Sequence, residues 1–200
     1  ELIRRVYQVG RPVILVLVTG KPFAISWEKK HLPAILVQWY GGEQSGNVIA
    51  DILFGKVNPS GHLTVSFPQS AGHLPAYYNH LPTDKGLYHQ HGSYEKPGRD
   101  YVFSSPDALW AFGHGLSYTS FSYSDLNTKV AEDSITVSFT LSNDGGCDGK
   151  AVPQLYVRDC VSSVATPVKQ LKAFSKVGLK SGQKICQRLK VAVADLGFTD

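Results

Sequence analysis

Two apolar runs, VILVLV at residues 13–18 and AILVQW at residues 34–39, constrain the first half of this chain more than any other feature. Each is short, continuous and rich in branched side chains, the pattern of a strand covered on both faces in a parallel sheet. Parallel neighbours need a crossover between them, and one is legible. TGKP turns the chain after the first run, and Ser26 is placed to cap a short helix in SWEKK. Ahead of the first run, Leu2, Ile3, Val6 and Val9 share a helical face, with Gly10 where a helix ends. Behind the second run, residues 44–54 are predicted to form a helix with Val48, Ile49, Ile52 and Leu53 facing inward and Gly55 past its end. LTVSF, residues 63–67, is predicted as a third strand. This alternation is that of a parallel α/β sheet.

The pattern then changes twice. Residues 68–117 have little periodicity and are rich in Pro, Gly, His and Tyr; six of the seven histidines fall between His62 and His114. A stretch this long without elements of its own is usually functional or wraps another domain. From about Phe121 the periodicity becomes two. FSYSDL, ITVSFTLSN, VPQLYVRD, VKQLKAFSKV and ICQRLKVAV are separated by Asp, Asn, Gly and Ser, as in an antiparallel β-sandwich. The expected fold class is therefore α/β followed by all-β, with domains at 1–120 and 121–200 and the junction near residues 117–124.

Bulk properties narrow the function. A net charge of +4, carried by Lys and Arg scattered along the chain, gives no basic tract for nucleic acid. No stretch is long and apolar enough to cross a membrane. Cys147, Cys160 and Cys186 are odd in number and match no zinc spacing, so buried or edge thiols are expected rather than one disulfide plus a spare thiol.

The residues with chemical potential each have a plainer reading. Glu43 follows a parallel-type strand, where α/β sheets place their ligand crevices. It also reads as a helix-start acid, and the helix dipole favours its charged form. A general acid working near neutral pH needs the opposite shift, so Glu43 is expected as a cap or pocket-rim residue. GEQSG is not the G-x-S-x-G nucleophile elbow, and TGK lacks the first glycine of a phosphate loop. His89 and His91 lack a third ligand at useful spacing for a metal. Tyr77, Tyr78, Tyr88, Tyr94, Tyr101, Phe103, Trp110 and Phe112 can stack on sugars, but burying the long segment against the sheet accounts for most of them.

Three blocks then carry a resemblance. RPVILVLVTGKPFAI, WYGGEQSGNVIADILFGKVNPSGHLTVSFP and LWAFGHGLSYTSFSYSDL, in this order, resemble the C-terminal half of glycoside hydrolase family 3 enzymes, the β-glucosidases, β-xylosidases and relatives. AVPQLYVRDCVSSVATPVKQLKAFSKVGLKSGQK resembles their fibronectin type III-like domain. The resemblance implies a retaining exo-glycosidase acting on terminal non-reducing β-linked glucose or xylose of oligosaccharides, with no cofactor and no metal. It implies a nucleophilic aspartate on an N-terminal barrel and an acid/base glutamate upstream of ELIRRVYQVG, so that neither catalytic residue lies in these 200. It further implies that the chain is an excerpt, lacking the barrel, the leading strands of the α/β domain and a final β-strand. Here the segment would be scaffold and pocket wall, with Tyr40 and Glu43 at the rim. A periplasmic or secreted location is implied, and a homo-oligomer is left open. The alternative is a non-catalytic binding or interaction module acting by itself.

Overall fold

The computed structural model describes residues 1–82, 105 and 107–197. His89, His91, Tyr88, Tyr94, Tyr101 and Phe103 lie outside the described residues. By compactness the described chain forms two units, and their boundary is not a single cut. One holds Glu1–Phe54, Thr64–Tyr77 and 107–112; the other holds Gly55–Leu63, 78–82 and 113–197.

In the first unit, helix α1 (Leu2–Tyr7) leads to strand β1 (Ile14–Leu17), helix α2 (Ser26–His31), strand β2 (Ala34–Val37) and helix α3 (Ser45–Leu53). β1 and β2 pair in parallel from Ile14 opposite Ala34 to Leu17 opposite Val37, with α2 as the crossover. Both strands are shorter than the apolar runs that announce them. They are half-buried rather than covered on both faces, because the described residues bring too little chain over the pair. The inward face expected of α3 is likewise open: Val48 and Leu53 are exposed, and Ile49 and Ile52 are half-buried. Ser26 is not the cap of α2. It is the first helical residue, and its hydroxyl donates to the Gln69 carbonyl at 2.5 Å.

LTVSF is not a strand of this sheet. Phe67, fully buried, instead makes an antiparallel bridge to Trp110, donating to its carbonyl at 2.8 Å and accepting from Leu109 N–H at 2.7 Å. The backbone groups a third parallel strand would offer to β1 or β2 are thus spent on the returning chain. Phe67 sits edge-on to Trp110, whose face carries the Lys29 ammonium at 5.2 Å. Ile25, Leu32, Phe67 and Leu109 are the buried apolar residues of this unit.

The second unit is the β-sandwich. Strands β3 (Phe121–Val130), β4 (Ser134–Asn143) and β9 (Lys184–Ala192) form one antiparallel sheet in the order β3-β4-β9. β5 (Gly149–Ala151) pairs with β8 (Val177–Leu179), and β6 (Gln154–Val157) with β7 (Gln170–Phe174). Period two is clearest in β9, where Lys184, Cys186, Arg188 and Lys190 face solvent while Leu189 and Val191 are buried. Val137, Phe139, Leu141, Ala151, Leu179 and Leu189 make the core. The three cysteines are unpaired. All are exposed, against the expectation of buried thiols; Cys186 is on an edge strand, where the outward half of the alternation puts it.

The NPSGHL segment belongs to this second unit. Asn58 Oδ1 accepts from Ser117 Oγ and Tyr118 N–H, both at 2.9 Å, and Asn58 Nδ2 donates to the Asp148 carbonyl at 3.0 Å. Two blocks far apart in sequence, NPSG and GLSYT, are thus joined through one amide. Two residues before GLSYT, Gly113 has φ +82°, and a Cβ there would meet the Gln154 side-chain oxygen and lie 2.7 Å from the Tyr156 hydroxyl. Gly113→Ala is expected to destabilise by about 2 kcal/mol, from backbone strain and overpacking together. Urea denaturation measures it; an unchanged midpoint would show that this turn relaxes freely.

Two carboxylates in the sandwich are expected to make it acid-sensitive. Asp125, at φ +54° in the β3 bulge, is held below the ordinary carboxylate range by hydrogen bonds from Thr140 and then Ser124. Asp133 is lowered by the Ser134 hydroxyl, which donates at 2.8 Å, and then by the charge of Lys190. A carboxylate with a lower pKa folded than unfolded stabilises the fold above its unfolded pKa. That contribution drains away as pH falls through the lowered folded values. The melting temperature is expected to drop below about pH 4, and less steeply in the Asp125→Asn, Asp133→Asn double variant. Parallel melting curves from pH 6 to pH 2 would refute the assignment.

Candidate functional site

In open α/β sheets ligands meet the carboxyl ends of the strands. Here those ends are two loops, Val18–Ile25 after β1 and 38–44 after β2. The first is closed locally. Thr19, almost fully buried, donates its hydroxyl to the Lys21 carbonyl at 2.9 Å and accepts from Lys21 N–H at 3.2 Å. This side-chain turn fixes the position of Gly20.

The second loop begins with one more ladder bond, Gln38 N–H to the Leu17 carbonyl at 2.9 Å. Trp39 then turns to φ +61°. For a bulky residue this is a true outlier. Its ring lies 6.0 Å from that of buried Phe67, which anchors it. Tyr40 follows, 79% exposed, with its ring over Gly20: a Cβ on Gly20 would come within 2.6 Å of Tyr40 Cε2. Gly41 is equally tight, since a Cβ there would meet Ser45 Oγ and approach Gln38 Nε2 to 2.9 Å. The two glycines of WYGGE are thus spent on closeness and reversal rather than on cradling an anion.

Glu43 does not start the helix. It lies in the turn before Gln44, the N-terminal flanking residue of α3, and the first turn of α3 contains no acid. Ser45 closes this turn, its N–H reaching the Gly42 carbonyl at 3.1 Å and its hydroxyl bonding the same oxygen. Gln44 Oε1 accepts from Asn47 Nδ2 at 2.6 Å. The helix is therefore entered through Ser45, Gln44 and Asn47, and the Glu43 carboxylate is free of that task. The helix dipole reaches it only weakly, because the field falls off within the first turn. Tyr40 and Glu43 share one loop and both are exposed.

Glu43 is not joined here by a tuned partner. Among the described carboxylates, those whose pKa the surroundings displace are Asp125 and Asp133, and both go down. Burial raises Tyr123 and Tyr156, far outside the range of a general acid for neutral pH. Among the described residues no three His, Cys, Asp or Glu side chains gather as metal ligands. Of the aromatic set, Trp110 packs on Phe67, and Tyr78 sits edge-on to Tyr156 while its hydroxyl accepts from Leu171 N–H at 3.3 Å. Tyr77 is exposed. The sandwich also has an open cavity of about 560 Å³. Its walls include the core residues Val137, Phe139 and Leu189, so it is the seam between the sheets.

Sequence reasoning missed the strained Trp39 and the contact of Tyr40 with Gly20. It also missed Gln38, whose buried Oε1 has no hydrogen-bond partner among the described residues. The paired glycines after Trp39 and Tyr40 were the available signal, and they state only that something approaches closely.

Residues 1–118 match the glycosyl hydrolase family 3 C-terminal domain, and residues 151–200 match a fibronectin type III-like domain. The chain is 38% identical to a periplasmic β-glucosidase of Salmonella typhimurium over 99% of its own length and 26% of that protein's. It is also 38% identical to a β-xylosidase of Formosa agariphila, over 99% and 27%. Among solved structures, a β-glucosidase from Erythrobacter marinus superimposes with a TM-score of 0.88 at 38% identity, covering 100% of this chain and 25% of that one. A β-glucosidase from Listeria innocua in complex with isofagomine gives 0.86 at 34%, covering 96% and 27%. The chain spans about a quarter of the length of these relatives. With residues 1–118 in the family match and a fibronectin type III-like sandwich after them, the chain belongs to the glycosyl hydrolase family 3 C-terminal domain family.

Proposed function

We propose that this chain is the C-terminal part of a retaining exo-glycosidase that hydrolyses terminal, non-reducing β-linked glucose or xylose from oligosaccharides. The observation that carries the reading is similarity over essentially the whole chain to β-glucosidases and a β-xylosidase four times as long. In this reading residues 1–120 are the back part of the α/β-sandwich domain, with the stretch of about 68–117 wrapping it. Residues 121–200 are the fibronectin type III-like domain. A retaining reaction places two carboxyl groups about 5–5.5 Å apart across the scissile bond, one as nucleophile and one as acid/base. Both belong to parts of the enzyme outside these 200 residues. The segment supplies scaffold and one wall of the pocket, with Tyr40 and Glu43 at the rim. The partner of that wall is the N-terminal barrel, and the location is periplasmic or secreted.

The test is an assay of the full-length gene product with 4-nitrophenyl β-glucoside and β-xyloside. Release of 4-nitrophenol from at least one, with the anomeric configuration of the first-formed sugar retained, is the expected result. Turnover of neither, or inversion, would overturn the reading.

A further inference from the structure

We infer that the β6–β7 hairpin is a docking surface for this chain's own long segment, with Tyr156 as a clasp that holds Tyr78 and Gly113 together. Tyr78 and Gly113 are each the first residue of their stretch in the second unit. Between them lies most of the segment rich in Pro, Gly, His and Tyr. The sandwich thereby acquires a role that goes beyond the glycosidase reading and does not depend on it. It fixes, side by side, the residue where that segment departs and the residue where it returns.

The departing end runs beside β7. Val168 N–H, just ahead of β7, donates to the His80 carbonyl at 2.9 Å, and Leu171 N–H within β7 donates to the Tyr78 hydroxyl at 3.3 Å. Among the described residues β7 pairs with β6 alone, so these two bonds use main-chain donors that the ladder leaves over. The Tyr78 ring then stands edge-on to Tyr156, with centroids 5.9 Å apart and planes at 75°, the arrangement that aromatic quadrupoles favour. Tyr156 is opposite Leu171 in the register of β6 and β7. One cross-strand pair therefore supplies both contacts to Tyr78.

The returning end meets the same tyrosine through its hydroxyl. Tyr156 donates to Gln154 Oε1 at 2.5 Å, and Gln154 Nε2 donates to the Gly113 carbonyl at 3.3 Å. An amide has its acceptor on one side and its donors on the other, so holding Oε1 aims Nε2 at Gly113. The missing side chain of Gly113 makes the approach possible, since a Cβ there would lie 2.7 Å from the Tyr156 hydroxyl. Gly113 N–H is in turn bonded to the Leu63 carbonyl at 2.7 Å. Tyr156 thus holds the departing end by its ring and the returning end by its hydroxyl. Contacts that share one residue are coupled, so loosening either end is felt at the other.

The experiment is hydrogen–deuterium exchange of the full-length gene product, read by mass spectrometry in short peptides containing Gly113, Val168 and Leu171. Peptides of β4 and β9 report on the sandwich as a whole. Tyr156→Ala is expected to speed exchange about tenfold at all three positions, with β4 and β9 changed less than about twofold. Tyr156→Phe keeps the ring and loses the hydroxyl, so it should speed exchange at Gly113 and leave Val168 and Leu171 as they were. Tyr78→Ala should speed exchange at Val168 and Leu171 and, through Tyr156, at Gly113 as well. A Tyr156→Ala protein in which only one end responds would overturn the clasp. So would equal acceleration in β4 and β9, which would make Tyr156 a packing residue of the whole sandwich. Gly113 exchange unmoved by Tyr78→Ala would also overturn it, and that result needs no Tyr156 variant to fold.

Discussion

The purified 200-residue chain is expected to release no 4-nitrophenol from β-glucosides or β-xylosides above the buffer rate. Loss of a general acid alone costs about a hundredfold to ten-thousandfold in rate. On the proposed reading both members of the carboxylate pair lie outside these 200 residues, which leaves no means to form or resolve the glycosyl-enzyme intermediate. Glu43 is exposed in the turn before α3, a turn closed by Ser45 while Gln44 and Asn47 bond to each other. The displaced carboxylates, Asp125 and Asp133, are in the sandwich and are shifted toward ionisation. Steady-state assays at high protein concentration settle it. Turnover that survives purification and disappears in Glu43→Gln would sink the expectation and make Glu43 catalytic.

Asn143→Ala should be the most damaging polar substitution in the sandwich. Asn143 is 1% exposed and uses its amide fully. Its Oδ1 accepts from Thr119 Oγ at 2.6 Å and from Gly145 N–H at 3.2 Å. Its Nδ2 donates to the carbonyls of Cys147 at 2.9 Å and Leu179 at 3.3 Å. Truncation takes this partner from the Thr119 hydroxyl ahead of β3, from the Gly145 N–H and Cys147 carbonyl in the turn after β4, and from the buried Leu179 carbonyl in β8. Each such group costs about 1–3 kcal/mol. A loss of about 3 kcal/mol is expected, lowering the melting temperature by roughly 15 °C for a domain of this size. Chemical denaturation followed by circular dichroism reads it. A loss below about 1 kcal/mol would mean that water enters and replaces the amide.

The strands and helices found by periodicity were legible because periodicity is local. β4 and β9 alternate along their own length, and α3 runs from Ser45 to Leu53 inside the predicted 44–54. The crossover between two branched apolar runs was enough to call for parallel pairing, and β1 and β2 pair so. β5, only three residues long, has too few positions to show any period. LTVSF misled because its composition suits a strand, while its hydrogen-bonding partner, the chain around Trp110, is more than forty residues away.

The candidate site was legible only as a place. A strand end followed by two glycines marks where α/β sheets place ligands, and the family blocks supply the chemistry of the proposed reading. What the chain alone determined is thus the order of its strongly periodic elements, its fold class of α/β followed by all-β, and the family to which its motifs belong. The tertiary structure decided that Glu43 stands before α3 rather than in its first turn, that Asn58 ties NPSG to GLSYT, and that Tyr40 lies on Gly20 behind a strained Trp39. Each of these depends on which groups meet across loops, on a hydrogen bond or a missing Cβ supplied by a residue distant in sequence. No local pattern encodes such a meeting, because the energy that selects it belongs to the contact and not to either segment.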